Sequence, residues 1–78
     1  MPNTEIAVLV RRFQRAKKPF YIYKIDGSFT YVNETCEITY MPEGLNIEGR
    51  VKFGHFCPSF ADWVYIPYKS ILEVVRLA

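Results

Sequence analysis

The sequence predicts a mainly β (α+β) domain in which one N-terminal amphipathic helix precedes a small five-stranded antiparallel barrel. Three observations carry that expectation. Apolar residues recur at helical spacing only before Pro19. From Phe20 onward, short runs of aromatic and β-branched residues alternate with Gly, Pro and Asp-Gly turn signals. The chain has 78 residues, the length of one domain, here taken as 1–78. Residues 1–18 form the helical unit and 19–78 the barrel.

The helix is expected over 4–17. Ile6, Leu9, Val10, Phe13 and Ala16 stand three or four apart and share one face. Asn3 or Thr4 can cap the start, and Glu5 suits the positive end of the helix dipole. Pro19 forbids continuation, because it lacks an amide hydrogen and disfavours helical backbone at Lys18.

Strand signals follow. "FYIYKI" (20–25) and "SFTYVN" (28–33) flank Asp26-Gly27, a dipeptide whose residues tolerate the positive φ of a tight hairpin. "TCEITY" (35–40) sets Cys36, Ile38 and Tyr40 on one face and Thr35, Glu37 and Thr39 on the other. Pro42 and Gly44 make 41–46 a turn. "IEGRVKFGHF" (47–56) is the longest strand, with Gly49 and Gly54 where it can bend around a barrel corner. A loop is expected at 57–62, then short strands at 63–66 and 72–77. Pro67 cannot donate to a ladder, so it ends the strand at Ile66. Residues 67–70 then form one tight turn, 3₁₀ in character, that returns Ile71 to the core.

A helix, short antiparallel strands and a tight turn before the last strand resemble SH3-like and Sm-like barrels in element order. The helix is expected to plug one open end. The Sm-like resemblance implies RNA contacts through an Asp and Asn after the second strand and an Arg-Gly pair before the fourth. Asn33-Glu34 and "FAD" (60–62) stand at those places. No Sm residue is therefore carried over.

Composition narrows the function classes. Half of the residues are hydrophobic and 17% aromatic, which excludes a disordered chain. No run approaches the roughly 18 apolar residues of a membrane span, and "IAVLV" (6–10) is too short and wrongly flanked for a signal peptide. Cytoplasmic is the resulting expectation, and the two cysteines, Cys36 and Cys57, read as reduced thiols. The net charge of +2 is uneven: residues 1–18 carry five bases and one acid, +4, while 19–78 carry five bases and seven acids, −2.

An enzyme is not expected. The single histidine, His55, stands two residues before Cys57, and with Cys36 and Asp62 it offers zinc-type donors. The spacing is no zinc signature, so the reading is two buried thiols, a histidine at a barrel end, no metal and no cofactor. No phosphate-binding glycine loop is present, and Glu34 and Glu37 fall on opposite faces of a strand.

Two features suggest binding. Trp63, Tyr65, Tyr68, Tyr21, Tyr23 and Tyr31 exceed the amphipathic aromatics a small core requires. Trp63, Tyr65 and Tyr68 around the final turn, with Tyr21 and Tyr23, are the expected contact residues for a protein partner or a second copy. In that register Val64 and Ile66 face inward. The last strand is expected at a sheet edge, and such an edge favours homo-oligomerisation. The alternative is nucleic-acid binding through Arg11, Arg12, Arg15 and Lys18 of the helix and the nearby tyrosines. A solvated helix face, with cations complementing the helix C-terminus, explains the same charges.

Overall fold

The computed structural model describes residues 3–55 and 57–76. Its elements are α1 (Asn3–Arg15), β1 (Phe20–Lys24), β2 (Phe29–Val32), β3 (Glu37–Tyr40), β4 (Gly44–Gly54), β5 (Ser59–Pro67), the 3₁₀ turn η1 (Tyr68–Ser70) and β6 (Ile71–Arg76). The protein is mainly β, with one N-terminal helix and an antiparallel sheet curled into a half-barrel. Phe56 and Leu77, which close two of the expected strands, lie outside the described residues.

Helix α1 stops two residues before the expected Ala16-Lys17 end. Lys17 takes φ 55°, a left-handed conformation, and its N–H donates to the Gln14 carbonyl. The Lys18 N–H reaches back to the Phe13 carbonyl at 3.2 Å. This pair of bonds satisfies the last carbonyls of the helix in a Schellman arrangement, and Pro19 then leads the chain into β1.

The hairpin at Asp26-Gly27 forms, but of the two residues only Gly27 takes a positive φ. Asp26 accepts from the Ser28 N–H at 2.9 Å and the Ser28 hydroxyl at 2.6 Å, and Gly27 takes φ 89°. Tyr21 consequently faces Tyr31, and Tyr23 faces Phe29.

The sheet has six strands rather than the expected five, in the order β3-β4-β2-β1-β6, with β5 on the other side of β4. The six match the six strand segments marked in the sequence, one more than a five-stranded barrel holds, and β2 and β3 stay separate at Asn33. Its side-chain oxygen accepts from the Thr35 N–H at 2.8 Å and from the Thr35 hydroxyl, and its carbonyl accepts from the Cys36 N–H. This local turn takes residues 33–36 out of the ladder and separates β2 from β3. Both strands still run along β4, β3 beside Leu45–Glu48 and β2 beside Lys52–Gly54.

Two expected loops are strand. Gly44, Leu45 and Asn46 extend β4, because all three pair with Pro67–Tyr65 and the last two also pair with Tyr40-Thr39. Residues 59–61 extend β5, because they pair with Val51–Phe53. At its middle β4 bends, as Gly49 suggests. The register shifts between Glu48 and Val51, so that Gly49 and Arg50 together oppose Asp62. Gly49 has φ 118°, and a β-carbon there would stand 3.2 Å from the Cys36 Cα. Only glycine meets both demands.

The core lies on the concave side. Ile6 and Val10 of α1 join Phe20, Ile22, Val32, Leu45, Ile47, Val51, Ile66 and Val74 there, with Leu9 and Phe13 half-buried at its margin. The Phe13 ring leans on Phe20, centroids 5.8 Å apart. Helix α1 runs against β6 and η1, and the Tyr40 hydroxyl of β3 donates to Gln14 at 2.9 Å.

Candidate functional site on the convex face

Alternation that sends one set of residues to the core sends the other to the convex face. On β5, Val64 and Ile66 point inward while Trp63 and Tyr65 point out, and Trp63 is 61% exposed. The shifted register leaves Asp62 exposed as well, so two consecutive side chains reach solvent between the inward Ala61 and Val64. Among the described residues β5 bonds only to β4, leaving its other edge open.

Tyr68 corrects the expected cluster. It is buried, only 5% exposed, although Trp63 and Tyr65 beside it are not. The reason is η1: after Pro67 the chain tightens into a 3₁₀ turn, the Tyr68 N–H donates to the Glu43 carbonyl at 2.9 Å, and the ring passes under the sheet. Burial pushes its phenol pKa up, Tyr65 adds to the rise, and Arg11 opposes it.

Phe60 was hidden by the loop expected at 57–62. It lies on β5, 57% exposed, with the Arg50 guanidinium 4.6 Å over its ring. Its signal in the sequence was weak: a single aromatic between Ser59 and Ala61, legible as strand only once β4 supplies a partner.

Tyr21 and Tyr23 stand apart from Trp63, on the β1–β2 hairpin. Tyr21 is the centre of a ring cluster, 5.1 Å from Tyr31, 5.7 Å from Phe29 and 5.9 Å from Tyr23 by centroid. The Lys52 ammonium lies 5.5 Å over Tyr31. The five expected contact residues therefore fall in three places: Trp63 and Tyr65 on β5, Tyr21 and Tyr23 on the hairpin, and Tyr68 in the core.

The cationic residues of the helix, Arg11, Arg12 and Arg15, are exposed, as is Lys18 just beyond it. Because α1 covers the concave side, these cations do not share a face with Tyr21 and Tyr23. Their aromatic neighbour is Tyr40, whose ring lies 4.5 Å from the Arg11 guanidinium. Burial raises the Tyr40 phenol pKa, and Arg11 pulls it back down.

The thiols do not behave alike. Cys36 is buried, with Sγ 3.5 Å from the Asn33 side-chain oxygen, and desolvation raises its pKa. Cys57 is exposed, against the expectation of two buried thiols, because it lies past the end of β4 where no element covers it. His55 is also exposed and lies over Gly27, whereas Cys36 lies against Gly49 at the middle of β4. Cys36 is thus not brought to His55 and Cys57, and no group of three potential ligands forms among the described residues. No helix among them is long and apolar enough to cross a membrane.

Comparison with known proteins finds no family model, no curated protein and no solved structure that matches this chain.

Proposed function

We propose that this protein is a non-enzymatic interaction module that binds a protein partner or its own copy through the outward side chains of β5. The observation that carries the reading is Trp63, 61% exposed on a strand whose far edge is open. An indole held in water on a rigid strand is the composition of an interface hot spot, and Phe60 and Tyr65 widen the apolar area around it. An open edge adds main-chain donors and acceptors for a strand of the partner.

Homo-oligomerisation fits the same features. Among the described residues, strand β6 also pairs with one neighbour only, and it carries exposed Leu72 and Val75. The element order, the long strand bent at Gly49 and the 3₁₀ turn before β6 support an SH3-like or Sm-like barrel. That analogy concerns architecture and leaves function to the site. Two free thiols support a reducing, cytoplasmic setting.

The test is Trp63→Arg. Light scattering across a concentration series and tryptophan emission should show the wild-type protein associating, with a blue shift on association. In the variant the association should vanish. If Trp63→Arg leaves the oligomeric state and every co-purifying protein unchanged, the reading fails.

A further inference from the structure

The registers of five strands line up one row across the convex face. Val75 of β6 opposes Tyr21 of β1, Tyr21 opposes Tyr31 of β2, Tyr31 opposes Lys52 of β4, and Lys52 opposes Phe60 of β5. The neighbouring row sets Glu73, Tyr23, Phe29 and Gly54 side by side. Four rings, Tyr21, Tyr23, Phe29 and Tyr31, thus form a continuous patch, and the helix that shields the core lies on the other side of the sheet. Outward faces of half-barrels are ordinarily polar, since alternation assigns them to water. This one is aromatic, with the Lys52 ammonium over Tyr31 at its β4 side, Arg50 over Phe60 one strand further, and Glu73 beside Tyr23 at its β6 side.

We infer that this patch of Tyr21, Tyr23, Phe29 and Tyr31, with Lys52 and Arg50, binds single-stranded nucleic acid. Planar apolar groups stack well on these rings, and an anionic partner complements the cations beside them. Unpaired bases joined by phosphates offer both within one chain, and aromatic side chains accept any base because each presents a π-face. A duplex does not, since its bases are already stacked on one another. A second copy stacked ring on ring over this patch would set Lys52 against another Lys52. The site adjoins the Trp63 surface at Phe60, where Arg50 lies over the ring, but does not rest on that proposal.

The experiment is fluorescence anisotropy with labelled oligo-dT and oligo-U of about ten nucleotides, within the range one small barrel spans. Saturable binding should weaken as salt rises, with a log–log slope of roughly −1 to −1.5 for two phosphates on a single strand. Tyr21→Ala should weaken binding about 5- to 150-fold, the loss of one base–aromatic stack. Tyr21→Phe, which keeps the ring, should bind nearly as wild type, and Lys52→Glu should lower affinity and flatten the salt slope. Trp63→Ala and the pair Arg12→Glu with Arg15→Glu should leave binding intact. Circular dichroism confirms that each variant is folded. Absence of saturable binding to both oligonucleotides overturns the inference. So does equal affinity for a duplex of the same length, or a loss caused by the helix pair while Lys52→Glu binds normally.

Discussion

The two faces of the sheet are both rich in large apolar residues, yet they use different ones. The concave face is largely aliphatic: Ile22, Leu45, Ile47, Val51 and Ile66 are essentially sealed from water together with Ile6 and Val10 of the helix. The convex face carries Tyr21, Tyr23, Phe29, Tyr31, Phe60, Trp63 and Tyr65, half-buried or exposed. An aliphatic side chain gains from burial alone, about 1.5–3 kcal/mol for full removal from water. A tyrosine or tryptophan carries a polar handle and a π-face, so it tolerates water and still offers binding area. The contrast separates two sets of residues within one strand alternation. Concave residues hold the fold, and convex residues stay half-buried or exposed.

The comparison can be broken by mutation. The largest effect is expected at Ile47, which faces Ile38 and Val64 across β3 and β5 with no solvent exposure. Ile47→Ala should destabilise by about 2–5 kcal/mol, read as a denaturant midpoint shift. A loss below about 1 kcal/mol would mean that the concave face is not the source of stability. Next is the helix that covers it. Tyr40→Phe deletes the hydrogen bond to Gln14 and should cost about 0.5–1.5 kcal/mol, with faster amide exchange in α1 as the local readout. Unchanged exchange would show that α1 is held by its apolar stripe alone.

On the convex face the expectation reverses. Trp63→Ala should change monomer stability by no more than about 0.5 kcal/mol, measured by chemical denaturation at dilution. A loss comparable to that of Ile47→Ala would place the indole in the stability core and erase the distinction.

The smallest effect sharpens the comparison at the hairpin tip. The hydrogen bond from the Ser28 hydroxyl, then that from the Ser28 amide, holds the Asp26 carboxyl below its ordinary pKa. A depressed folded-state pKa means stability that is fully present above the ordinary aspartate value and lost as pH falls through the lowered one. NMR titration should show Asp26 protonating below the usual aspartate range, and Ser28→Ala should move it upward. No upward movement would assign the shift to the residue-28 amide, which alanine keeps, and then to Lys24 and His55.

Much of this was legible in local pattern. Pro19 marked the end of the helix, Asp26-Gly27 the hairpin, and Gly49 the bend; each acts through the φ values its own residue allows. Ile6, Val10, Val64 and Ile66 were assigned inward by spacing alone, and they point there. What local pattern missed were places where a partner strand decides. Gly44–Asn46 carries turn-type residues, yet flanking β3 and β5 satisfy its backbone and make it strand. Ser59–Ala61 has little strand propensity of its own and is extended because β4 lies beside it.

The sequence by itself determined the class of this protein: one helix, then β structure, with apolar residues at the spacings that bury them. Those are properties of period and of single-residue backbone preference, and they need no neighbour. It took the tertiary structure to bring β2 and β3 both onto β4, to turn Tyr68 into the core at η1, and to set Tyr21, Tyr31, Lys52 and Phe60 in one row. Each of these depends on strand register or on a hydrogen bond whose outcome is set by which segments meet. Tyr68 and Tyr65 are the same residue type three positions apart, and the curl of the chain between them buries one and exposes the other.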